Sequence, residues 1–60
     1  MKTVIIEYAK ISPVVLTHKV RSTFPTAFCS WRDIDEDFFE FSVYFSDDLK
    51  MLEDILAEYV

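Results

Sequence analysis

The sequence predicts an α+β fold: a three-stranded antiparallel sheet in spatial order 1-3-2 with two helices on one face, connected β-α-β-β-α, all within a single domain, residues 1–60. Three observations predict it. The run from Phe38 to Phe45 alternates so that Phe39, Phe41, Val43 and Phe45 fall on one side and Phe38, Glu40, Ser42 and Tyr44 on the other. That period of two is a strand with one wholly apolar face, too aromatic for an edge, so it belongs at the centre. The C-terminal segment repeats Leu49, Leu52, Ile55, Leu56 and Tyr59 at helical spacing, with Met51 at the margin and Asp47, Asp54 and Glu58 facing away. A right-handed crossover between the first two strands leaves a gap, and the third strand enters it.

Each element has its own local reasons. Thr3 to Ala9 is β-branched and aromatic, with Val4, Ile6 and Tyr8 on one face and Thr3, Ile5 and Glu7 on the other. Ser12-Pro13 supplies an N-cap hydroxyl and a proline whose fixed φ suits the first helical position. Leu16, Val20 and Phe24 then recur every four residues until Pro25 stops the segment. A strand competes here, because Val14, Val15, Thr17, Val20 and Thr23 are poor helix formers; the cap and the spacing select a short helix. Thr26 to Arg32 alternates Ala27, Cys29 and Trp31 against Phe28, Ser30 and Arg32, a second strand, and Asp33 to Asp37 forms a wide hairpin loop. Ser46 ends the central strand and caps the last helix, with Asp47 and Asp48 in its first turn, where the macrodipole favours negative charge. A meander of three strands with one helix is the alternative architecture if Pro13 to Phe24 is extended.

Composition narrows the function. A chain of 60 residues hides only about 60% of the surface its unfolded form exposes, so its 52% apolar content must do the work of absent staples. One cysteine permits no internal disulfide, and one histidine leaves too few soft ligands for a structural zinc. Met1-Lys2 leads into a charged strand pattern rather than a signal-peptide core, and no apolar run approaches the roughly 20 residues of a membrane span. A cytosolic protein is expected. The net charge of −5 hides a division. Residues 1–32 carry five cations against Glu7, a net of +4, and residues 33–60 carry ten acids against Lys50, a net of −9. Acidity of that kind opposes sequence-independent nucleic-acid binding, which draws on phosphate neutralisation, and favours a basic or nucleic-acid-binding protein as partner.

The candidate chemical motifs are weak. Asp33, Asp35 and Asp37 have the opening spacing of a calcium loop, but Phe38 stands where glycine is needed and Tyr44 where a bidentate Glu is needed. His18 and Cys29 are a conceivable base and nucleophile with no orienting third group, and the lack of glycine excludes a phosphate-cradling loop. No catalytic residue, metal or cofactor is expected. Two surfaces remain. The uncovered sheet face should carry Ile5, Phe28, Phe38 and Tyr44 beside Ser30, Arg32, Glu40 and Ser42, a surface for a partner, for RNA stacking or for a homo-oligomer when free. The stronger candidate is Trp31, Arg32, Asp33, Ile34, Asp35, Glu36 and Asp37, with Glu40 nearby: tryptophan and arginine dominate interface hot spots, and here they lead into an acid-rimmed loop. Parity sets Trp31 on the core face at the hairpin end, so core and binding roles compete there.

In its length, its lack of glycine, its acidity, its aromatic sheet and its acid-rimmed Trp31-Arg32-Asp33 segment, the chain resembles the Dmd antitoxins of T4-like phages. The resemblance implies a non-enzymatic inhibitor, acting in the host cytoplasm, that binds an RNase LS-type endoribonuclease toxin and obstructs its active site. It assigns Trp31, Arg32 and the acids of residues 33–37 to the contact, with no direct nucleic-acid or membrane contact. A different phage inhibitor, such as an anti-CRISPR or a nucleic-acid mimic, would share the same physics.

Overall fold

A computed structural model describes residues 1–44 and 49–60. The elements follow the order β1 (Lys2–Glu7), α1 (Pro13–Thr23), β2 (Phe28–Asp33), β3 (Phe38–Tyr44) and α2 (Leu49–Ala57). The sheet is antiparallel in order β1-β3-β2, with Ile5 opposite Glu40 and Arg32 also opposite Glu40 on the other side. The expected strand residue Phe45, the cap at Ser46 and the acids Asp47 and Asp48 lie outside the described residues, as does the side chain of Leu49.

The helix over Pro13–Thr23 forms despite its β-branched content, because its ends are satisfied. The Ser12 hydroxyl accepts from the Val15 N–H at 3.2 Å, Pro13 occupies the first turn, and the Phe24 N–H closes the last turn on the Val20 carbonyl at 2.8 Å. Its apolar stripe is buried at Leu16, Val20 and Phe24. Those three meet Ile6 of β1, Phe39, Phe41 and Val43 of β3, Ala27, and Leu52 and Leu56 of α2 in one core. All the strand residues of that core share one sheet face, so both helices cover that face, and among the described residues the other is bare. The first helix is also tied at the surface to the turn that follows the second: the Lys19 ammonium donates to the Tyr59 hydroxyl at 2.7 Å and lies 5.4 Å from its ring centre.

The strand boundaries differ from expectation for local reasons. The first strand ends at Glu7 rather than Ala9, because the Lys10 N–H turns back to the Glu7 carbonyl at 3.1 Å, although Tyr8 still donates to Asp37 across the sheet. The second begins at Phe28 rather than Thr26, because the Ala27 N–H is held by the Phe24 carbonyl at 3.0 Å in the turn that leaves α1. No described helix is long and apolar enough to cross a membrane.

Candidate functional site

The hairpin that joins β2 to β3 is closed without glycine or asparagine. The Ile34 and Asp35 N–H groups both donate to the Phe38 carbonyl, at 3.1 and 3.3 Å. The Asp35 carboxylate accepts from the N–H groups of Asp37 and Phe38 through one oxygen, at 2.8 and 3.0 Å. This side-chain turn supplies what a positive-φ residue would otherwise provide, and no described residue adopts positive φ. Asp35 is thereby engaged by its own loop. Asp33, Glu36 and Asp37 remain exposed around it, and Ile34 stands 46% exposed among them.

Trp31 sits just behind this loop. It lies opposite Phe41 on the helix-bearing face and meets the buried Phe39 ring edge-on, with centroids 6.4 Å apart and an interplanar angle of 75°. Yet it is 44% exposed, because β2 buries none of its residues fully and the helical cover stops short of the hairpin end. The indole is neither core nor free: one edge is braced against Phe39, and the rest is exposed to solvent. A braced aromatic loses little conformational entropy on binding, the property that makes an anchor effective.

Alternation puts Arg32 and Glu40 on the opposite, bare face. There the guanidinium donates to both carboxylate oxygens, Nε at 3.0 Å and a terminal nitrogen at 3.4 Å. Arg32 is largely exposed, so the pair is worth at most about 1 kcal/mol. The eight singled-out residues therefore fall into two groups: Trp31 and residues 33–37 at the hairpin end, and the Arg32–Glu40 pair on the bare face. The pairing itself escaped the sequence reading, although a hairpin register with residue 34 opposite residue 38 sets 32 against 40. The rest of the bare face carries Ile5, Phe38, Tyr44 and a 66% exposed Phe28, whose ring lies 6.0 Å from that of Tyr44. The Thr3 and Ser42 hydroxyls are hydrogen-bonded at 3.1 Å between the apolar groups.

Elsewhere the described residues offer little for chemistry. His18 is exposed and lines an open groove with Val14, Thr17, Arg21, Ser22 and Pro25. Cys29 is half-buried rather than fully enclosed, since it lies on an edge strand, and burial pushes its thiol up from the ordinary value while Arg21 pulls the other way. Among the described residues no polar or charged side chain is buried, and no group of three or more His, Cys, Asp or Glu residues could hold a metal ion. Comparison with protein-family models, with curated proteins and with solved structures returns no match, so the fold and these surfaces are the ground for any functional reading.

Proposed function

We propose that this protein is a non-enzymatic inhibitor that binds another protein, the target class being a host endoribonuclease toxin with a basic active-site groove. The observation that carries the reading is the hairpin end, where a braced but half-exposed Trp31 and an exposed Ile34 sit within a rim of Asp33, Glu36 and Asp37. Acids of this kind steer encounter with a cationic groove, and the aromatic anchor then slows release. Arg32 and Glu40 extend the contact onto the bare face, where their weak mutual pair can be exchanged for partner groups. Affinity purification from the host cytoplasm, read by mass spectrometry, tests this: a stoichiometric endoribonuclease partner is expected, and recovery of no protein partner overturns it.

A second reading is favoured by one observation, the exposed Phe28–Tyr44 pair on the bare face, which is a platform on which RNA bases could stack. It predicts RNA affinity that falls steeply with salt, whereas the inhibitor binds no free RNA.

A further inference from the structure

We propose that the outer edge of β2 pairs with the same edge of a second copy, antiparallel and centred on Ser30, joining the two sheets into one continuous sheet. This stands independently of the inhibitor reading. The edge strand β2 buries none of its residues fully, and from Phe28 to Trp31 it carries no charge, proline or lysine. Those are the devices that normally blunt an edge. The other edge, β1, has a comparable uncharged run, Thr3 to Ile6, between Lys2 and Glu7, but it is better covered, with Ile6 fully buried.

The hydrogen bonds fix which groups face outward. Ile34 donates to the directly opposite Phe38, so the alternate positions Arg32, Ser30 and Phe28 turn their backbone toward β3. The N–H and C=O groups of Cys29, Trp31 and Asp33 therefore point away from the sheet. A two-fold axis at Ser30 sets Cys29 opposite the second copy's Trp31, both outward-facing, and forms the ladder without disturbing either monomer.

The side chains favour that register over its neighbours. On the bare face Phe28 meets the second copy's Arg32, a cation over an aromatic face. Between them Ser30 meets Ser30, extending the hydroxyl row that begins with the Thr3–Ser42 bond and crosses β3 to Ser30. On the helix face the Trp31 indole meets the Cys29 sulfur beside Phe41 and Val43. Moving the axis to Trp31 would instead place Asp33 against the half-buried thiol and set Phe28 against Ile34, beyond the end of the strand. Moving it to Cys29 would carry Arg32 past the paired segment. Charge agrees: Arg21 of α1 acts on the Cys29 end of β2, and the Ser30 register brings the second copy's Asp33 and acidic loop to that end.

The isolated full chain suffices for the test. Sedimentation equilibrium from micromolar to millimolar concentration should show the mass rise from 7.1 kDa toward twice that value. Over the same range hydrogen exchange should slow at the Cys29 and Trp31 amides. In a Cys29→Ser background, Ser30→Cys should oxidise to a covalent dimer, because a non-hydrogen-bonded antiparallel pair holds its Cα atoms about 4.5 Å apart, within disulfide reach. Thr3→Cys in the same background lies on the same face at the other edge and should oxidise on the order of tenfold more slowly, since only Ser30→Cys gains effective concentration. A monomer at every concentration overturns the proposal. So does a dimer whose Cys29 and Trp31 amides exchange at the monomer rate, or equal oxidation of the two cysteine variants.

Discussion

The two faces of β3 differ more than any other two regions of this molecule. Phe39, Phe41 and Val43 have no exposed surface at all, while Phe38 and Tyr44, adjacent in the chain, are open to solvent. Both sets are large and apolar, so hydrophobicity does not separate them. Position does: one face is roofed by α1 and α2, and among the described residues no layer lies over the other. The contrast teaches that one short strand holds the fold together through alternate residues and leaves the remaining ones at least partly exposed. Among the described residues one core cluster carries the whole load, as expected of so small a domain.

The largest expected effect breaks the buried side of that comparison. Phe41→Ala should cost about 3–5 kcal/mol, comparable with the whole stability of a small domain, and thermal melting should lose its cooperative transition. Phe38→Ala, three residues away, should change stability by no more than about 1 kcal/mol; equal losses would erase the distinction between the faces. Next comes Trp31→Ala, which tests a residue standing between the two regimes. It should weaken target binding by about 2 kcal/mol, roughly 30-fold in Kd, with the circular dichroism spectrum retained. Unchanged affinity in a folded variant removes Trp31 from the site.

Smaller effects sharpen the picture of the bare face and the edge. A double-mutant cycle with Arg32→Ala and Glu40→Ala should return a coupling below about 1 kcal/mol that shrinks further in salt, since the guanidinium is solvated. The smallest effect concerns Cys29. Burial pushes its thiol above the ordinary 9.0, so the folded state keeps a proton that the unfolded chain releases. Its contribution to stability is fully present below that pH and is lost as pH rises through the folded value. Chemical denaturation across the alkaline range should show this slope, and Cys29→Ser should reduce it by the share that Cys29 contributes.

Much of the architecture could be read from residues alone. Alternation in Phe38–Tyr44 and the spacing of Leu16, Val20 and Phe24 are local signals that the tertiary packing reinforces, and the sheet order followed from crossover handedness with the most apolar strand in the middle. Of the candidate site, the exposure of Ile34 and the bare-face aromatics was legible, because turn position and parity decide them. The half-exposure of Trp31 was legible only in part: parity says core and the hairpin end says thin cover, but only the reach of the helices determines how much of the ring is covered. The engagement of Asp35 by its own loop was hidden, since any of three aspartates could have closed that turn.

From the amino acids themselves come the period of each element, the caps of α1, the ban on glycine-type turns and the uneven charge along the chain, all properties set by neighbours within a few positions. Only the folded chain decides how far the helical layer extends, that Arg32 finds Glu40, and that β2 is the more exposed edge strand among the described residues. These depend on register and on the lengths of packed elements, and so on contacts between residues far apart in the chain, whose geometry no local pattern encodes.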